Sequence, residues 1–258
     1  MKKMSSQVVA TIDEQLLVGF GEAISEDLAL LRDLHAVELN AGTMAEIKAS
    51  GFPACLRLRL ESAQAREVFT LLDGAVETWG DAPDPATIDA LAADFASIYL
   101  NHAYGAAPQE SYWLDDDHLV MQKQMFQVRA IYSEFGLRVE NWRRCPDDHL
   151  VHELGFLAQI FSLTSPWVAV HRAACFMDEH LLRWLDAFTS RVAMRCEMPF
   201  YAGLAMLTAL YGEQLRNLLA QLLDEPRPSV EEIEARMTEK LEPVPVPVQF
   251  VPGAAPGW

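Results

Sequence analysis

Five residues that ligate metals or move protons crowd into eight positions of the stretch PDDHLVHE, Pro146 to Glu153: Asp147, Asp148, His149, His152 and Glu153. On a helix, His149, His152 and Glu153 fall at i, i+3 and i+4 and share a face, where they could converge on a transition metal. The order H-x-x-H-E matches neither HExxH nor HxxEH, and no distant ligand announces itself. Asp148 beside His149 could orient an imidazole for acid/base work. The chain, however, has no GxSxG, P-loop or GxGxxG to supply a nucleophile or a phosphate cradle. A third reading is helix initiation. Asp147 or Asp148 caps a helix whose apolar stripe is Leu150, Leu154, Leu157 and Phe161. Carboxylates suit a helix N-terminus but a cationic imidazole does not, so His149 is expected to be neutral or held by a carboxylate.

Two further stretches carry comparable chemistry. YGAAPQESYWLDDDHLV, Tyr104 to Val120, joins Glu110 and Ser111 to Tyr112, Trp113 and the run Asp115-Asp116-Asp117. Aromatic rings beside carboxylates suit a peptide bearing arginines and apolar residues. Equally, the rings could be core anchors and the aspartates a solvated cap. CFMDEHLLRWLDAFTSRV, Cys175 to Val192, repeats Phe176, His180, Leu181, Trp184, Leu185 and Phe188 at helical spacing and reads as core. His171 and Cys175, at i and i+4, read as a satisfied core pair rather than metal ligands.

The elements that must position these residues are helices. From 13 to 240 no segment sustains the period-2 alternation of a strand. Helix starts are marked by Thr43-x-x-Glu46 and Ser229-x-x-Glu232 as capping boxes, and by Asp84-Pro85, Ser165-Pro166 and Pro199. Leu204, Leu207, Tyr211, Leu215, Leu218 and Leu222, widened by Phe200, Leu210 and Leu219, predict a central buried helix after Pro199. Loops fall at 80–85, 101–117 and 136–147. The sequence from Glu242, EPVPVPVQFVPGAAPGW, cannot be helical and is expected to be extended or disordered.

Of 258 residues, 51% are hydrophobic and 22% charged, a globular composition with room for a large core. Twenty Lys and Arg against 37 Asp and Glu give a net charge of −17, which disfavours nucleic acid and anionic membranes and favours cationic partners. Four scattered cysteines without a CxxC pair suggest reduced thiols in a cytosol. The N-terminus lacks an apolar signal core, and no apolar stretch is long enough to span a membrane.

The blocks occur in a characteristic order. First comes Pro108-Gln109-Glu110-Ser111 with Trp113; then Pro146-Asp147-Asp148-His149-Leu150 with Glu153, Leu154 and Phe156; then Phe176, His180, Leu181, Trp184 and Phe188. Together they resemble the TorD/DmsD family of redox-enzyme maturation chaperones, over residues 20–225, with the central block the most specific. The resemblance implies an all-α, single-domain bundle of about ten or more helices over 13–240. Residues 1–12 are then a flexible N-terminus and 241–258 a Pro-rich tail. It implies no catalysis and no cofactor. Family members bind the twin-arginine signal peptide of a molybdopterin oxidoreductase catalytic subunit, often with its mature part, and delay its export until the cofactor is inserted. The export machinery is a further expected partner. The chain would be a cytoplasmic monomer or a domain-swapped dimer, with 136–147 as hinge. In the family, the positions of Pro108, Ser111, Asp148 and His149 line the leader-binding groove or its neighbouring loop. Position 109 is often aromatic in relatives and is Gln here, so Tyr112 or Trp113 would have to supply that contact. Glu110, Asp115, Asp147, Asp148 and Glu153 are the carboxylates expected to pair with two guanidiniums from the exposed side of the 146–153 helix start. The alternative is a helical metalloprotein or hydrolase built on Asp148, His149, His152 and Glu153.

Overall fold

A computed structural model describes residues 13–239; the expected flexible segment 1–12 and Pro-rich tail 241–258 lie outside the described residues. The chain forms α1 (Glu14–Ala36), α2 (Ala41–Ser50), α3 (Ala63–Glu77), α4 (Pro85–Phe95), α5 (Glu110–Leu114) and α6 (Lys123–Glu134). It continues through α7 (Leu150–Leu163), α8 (Pro166–Phe176), α9 (Leu182–Arg195), α10 (Pro199–Leu223) and α11 (Val230–Glu239). Among the described residues there is no strand, only an isolated antiparallel bridge between Gln109 and His149. The fold is all-α, as expected. It divides into two compact units, the first ending at Arg227 and holding α1–α10, the second beginning at Pro228 and holding α11.

Apolar periodicity explains the first unit. α1 packs along α7, and α10 packs between α9 and α3. Phe200, Leu204, Leu207, Tyr211, Leu215 and Leu219 are buried along α10, while Leu210, Leu218 and Leu222 are half-buried at its margins. The helix is thus the expected central one. Its core face also carries Arg216, buried and joined to Asp178 by Nε and Nη2 bonds of 2.9 and 2.7 Å.

The helix starts follow local chemistry, with two corrections. Thr43 does not open α2. Asn40 caps it, accepting from Gly42 and Thr43 N–H, and Thr43 is the reciprocal third residue of that box. Asn is a strong cap in extended backbone and lies three residues upstream, which moves the start. The second lies at α7, which is capped by neither Asp147 nor Asp148. The Ser229–Glu232 box is present: Ser229 N donates to Glu232 Oε2 at 2.7 Å, and Glu232 N donates to Ser229 Oγ at 3.2 Å. Asp84 and Ser165 precede Pro85 and Pro166 without side-chain capping bonds.

Two π-helical turns interrupt otherwise helical runs, Ala96–Leu100 after α4 and Met177–Leu181 between α8 and α9. The sequence between 175 and 192 reads as one continuous helix, but the wider turn rotates the following residues about the axis. Irregular segments are fastened by buried aspartates. Asp27 accepts from Arg57 N, Leu58 N and the Tyr211 hydroxyl. Asp94 accepts from Tyr104 Oη at 2.6 Å, Glu197 N at 3.2 Å and Met198 N at 2.7 Å, which fixes the entry to α10. Removing such an acceptor leaves buried donors unsatisfied. Asp94→Ala should therefore lower unfolding free energy by about 2–4 kcal/mol in denaturant titration, with Asp94→Asn losing less.

Candidate functional site

Segments 106–111 and 146–150, far apart in sequence, are paired through the backbone. Glu110 N donates to Asp148 O and Leu150 N to Pro108 O, both at 2.9 Å, around the Gln109–His149 bridge. Each segment leads directly into a helix, α5 or α7. The pairing therefore sets two helix N-termini side by side and satisfies backbone groups that would otherwise be orphaned. Asp148 completes the junction: its Oδ2 accepts from Ser111 N at 2.9 Å and from the Ser111 hydroxyl, so it caps α5 across the gap.

The underside of the junction is a closed polar cluster. Glu110, Ser111, Asp148 and Glu153 are fully buried. His180, in the second π turn, donates from Nδ1 to Glu110 Oε2 at 2.9 Å, and Trp184 Nε1 donates to Glu153 Oε2 at 3.2 Å. Burial lifts the Asp148 carboxyl from 3.8 to about 6, against the two Ser111 bonds that favour its charged form; the Glu110 charge lifts it further. Glu153 is pushed well above its ordinary value by burial, then by the charges of Glu110 and Asp148. Beside the cluster, Asp147 is buried against Arg129, whose Nη2 approaches Oδ2 at 2.7 Å. The Arg129 guanidinium lies 4.4 Å from the Trp142 ring centroid, a cation–π contact.

The outer side of the same junction opens into a cleft of 430 Å³. Its apolar wall is Phe95, Tyr99, Leu100 and Val151, with Tyr99 and Leu100 presented by the first π turn. Its polar wall includes Gln109, His149, His102 and Arg144, and among the described residues no carboxylate lines it. His149 is the true N-cap of α7: its Nδ1 accepts from Val151 N at 3.2 Å. That role demands a neutral ring, and burial drives the His149 pKa down to about 3. Gln109 is buried, and its Oε1 has no hydrogen-bond partner among the described residues. His35 closes one end, neutral by burial, bridging Tyr99 Oη and Thr208 Oγ1 at 2.5 and 2.8 Å.

Comparison with known proteins identifies the family. Residues 61–190 match the family model described as nitrate reductase delta subunit. A relative in Vibrio cholerae named chaperone protein TorD is 30% identical over 172 residues, 64% of this chain and 77% of the relative. Another protein of that name, from Vibrio vulnificus, is 28% identical over 195 residues, 72% of this chain and 90% of the relative. A third, from a Psychrobacter species, is 25% identical over 199 residues, 74% and 89% of the two chains. The chain belongs to the TorD/DmsD chaperone family. Members of the family are chaperones and not enzymes.

Within this TorD-family chain, the nine residues singled out from the sequence divide sharply. Pro108, Glu110, Ser111, Asp147, Asp148 and Glu153 are buried in the junction or its underside. The expectation of an exposed acidic face on the 146–153 helix start is therefore corrected, because each of these carboxyls points at an internal partner. Neither Asp147 nor Asp148 caps α7; they go to Arg129 and Ser111, and His149 takes the cap. Trp113 is half-buried and donates from Nε1 to Ala107 O at 2.8 Å, while Asp115 accepts from Asp117 N and Leu119 N at the end of α5. The metal or hydrolase alternative is also corrected. His149 faces the outer cleft, Glu153 faces Trp184, and His152 lines a separate cleft with Arg138. Among the described residues no group of three or more His, Cys, Asp or Glu is arranged to hold a metal. His171 and Cys175 are not a core pair: His171 is exposed, Cys175 is half-buried, and Sγ lies 3.8 Å from Nδ1.

The sequence missed the roles of Tyr99, Leu100, His102 and Arg129, and the partnership of His180 with Glu110. Only the polar His180 within an apolar stripe gave a signal. Two outcomes follow for the junction. Ser111→Ala should cost about 1–2 kcal/mol of unfolding free energy and raise the Asp148 pKa further, since it deletes a donor to the charged carboxylate. Asp148's own contribution to stability is full below 3.8 and is lost as pH rises through about 6, because the native carboxyl holds a proton that the unfolded one releases. Denaturation midpoints across that window check both.

Proposed function

We propose that this chain is a cytoplasmic maturation chaperone for a molybdopterin oxidoreductase. In this reading it binds the twin-arginine leader of the catalytic subunit, with or without the mature part, assists cofactor insertion and delays export. The observation that carries the reading is the cleft at the Gln109–His149 bridge, in the segments whose sequence resembles the family's leader-binding positions. Family membership and the chaperone names of the relatives support it.

The cleft is suited to the leader's apolar stretch. Leu100 is 65% exposed at its rim although it is a large apolar residue, and Phe95 and Tyr99 give a rigid floor. Gln109, with an amide oxygen unused inside the protein, can bond a peptide backbone where an aromatic residue would only stack. The leader's arginines belong elsewhere, because the cleft offers them no carboxylate. Of the acidic residues singled out, Asp115 is the one not fully enclosed, and Asp116 and Asp117 beside it are exposed. Trp113 and Tyr112, in edge-to-face contact at 5.3 Å, stand next to that run. No helix among the described residues is long and apolar enough to cross a membrane.

Calorimetric titration with twin-arginine leader peptides tests the reading. One leader should bind in a salt-sensitive manner, and replacing its arginines by glutamine should weaken it at least tenfold. Leu100→Asp should weaken binding by a similar factor without loss of fold, since Leu100 is solvent-facing. Unchanged affinity in Leu100→Asp would remove the cleft from the site, and no binding of any leader would remove the leader itself.

A further inference from the structure

Two oxygens in the buried cluster lack any donor among the described residues. Asp148 Oδ1 and Glu153 Oε1 are both inaccessible and form no hydrogen bond, although each carboxyl's other oxygen is satisfied by Ser111 or Trp184. Both residues are completely buried. An ionised carboxylate with a bare oxygen in such a place is costly, and two together would repel each other. We propose that Glu153 is a neutral carboxylic acid in the native protein, and that its proton supplies the donor this pair of carboxyls lacks.

The surroundings leave Glu153 as the proton's place. On α5, Glu110 already has the His180 Nδ1 donor. On the 146–149 segment, Asp147 is neutralised by Arg129 of α6, and Asp148 accepts two bonds from Ser111, which favour its anionic form. From the second π turn, Asp178 is matched by Arg216 of α10. From α6, Tyr132 donates its hydroxyl to Asp147 O rather than to a carboxylate. His149, the cap of α7, and His152, in its first turn, are both shifted toward the neutral form by burial. From α1, which packs along α7, Arg32 reaches Gly155 but pairs with Asp33, and His35 is neutral by burial. Among the described residues Glu153 is left with one neutral donor, Trp184, and no salt-bridge partner. The direction of its pKa agrees, being raised by burial and by Glu110 and Asp148.

The consequence concerns the same segment that the proposed function uses. The pairing of 106–111 with 146–150 rests on a cluster that needs one proton. The native acid holds a proton that an unfolded Glu releases near 4.5, so its stabilising contribution is full below that pH and is lost as pH rises through the native value.

The test uses the protein without a peptide, so its failure and the failure of the leader reading are separable. Infrared difference spectra of protein labelled with 13C in its Glu carboxyls should show a protonated-acid carbonyl stretch at neutral pH, where exposed glutamates are ionised. That band should vanish in Glu153→Gln and persist, shifted, in Asp148→Asn. Denaturation midpoints should fall toward alkaline pH in the native chain and lose that slope in Glu153→Gln, which mimics the neutral acid. If Glu153→Gln does not fold, the presence or absence of the band in the unsubstituted protein decides. No band at neutral pH, or a Glu153→Gln variant that keeps the full alkaline slope, overturns the proposal.

Discussion

The constraint on which the structure turns is that a helical bundle with long irregular connections must satisfy the backbone of those connections inside the protein. Buried carboxylates do this work. Asp27 holds residues 57 and 58, Asp94 holds 197 and 198, and Asp148 holds residue 111. In each case an oxygen from one element accepts from N–H groups of another, so one side chain replaces the water that a surface loop would use. The acidity that suggests a cationic partner is thus partly internal architecture. A residue count cannot distinguish the two, because desolvated and solvated carboxylates contribute equally to net charge.

The Asp148 junction differs from the other two. Asp27 and Asp94 fasten chain to a packed helix, whereas Asp148 joins two irregular segments that each begin a helix. The backbone pairing around Gln109 and His149 gives the junction two faces. The inner face is the proton-demanding cluster of Glu110, Asp148 and Glu153 with His180 and Trp184. The outer face is the apolar cleft floored by the first π turn. Both π turns therefore serve this region: one supplies Tyr99 and Leu100 outside, the other His180 inside. Such turns break the regular register and are often found where a helix must aim a side chain at a site.

Much of this was legible in the sequence, and the remainder fails for identifiable reasons. Period and punctuation point to the all-α fold, the central α10 and the connections at 80–85 and 136–147, because apolar stripes and prolines act locally, whereas the short α5 lies inside the expected loop 101–117. The blocks that meet at the junction were also recognisable by type and order. What could not be read was direction. His149, His152 and Glu153 share a helix face on paper, yet they serve three different surroundings because α7 lies between the outer cleft, a second cleft and the core. The N-cap was misassigned for a related reason. Asp147 and Asp148 are better local caps than a histidine, but each finds a stronger partner elsewhere, in Arg129 and Ser111. Nothing within a few residues of 148 reports that Ser111 will be there. The π turns are equally invisible, since Met177–Leu181 has an unbroken helical pattern.

The separation of charge from contact bears on how a cationic partner would be recognised. With carboxylates absent from the cleft wall and those of the junction enclosed, the net charge of −17 can act at long range but cannot write a specific pairing there. Long-range attraction accelerates encounter with any basic peptide and is screened by salt. Discrimination among such peptides must then come from shape and from desolvated polar groups. Gln109, with an unused amide oxygen, and His149, kept neutral by burial and so free to accept the capping bond, are the polar groups on that wall positioned to provide it. A charged histidine at 149 would lose the Val151 bond and oppose the α7 dipole, so the neutrality that starts the helix also keeps this wall of the cleft compatible with an apolar segment.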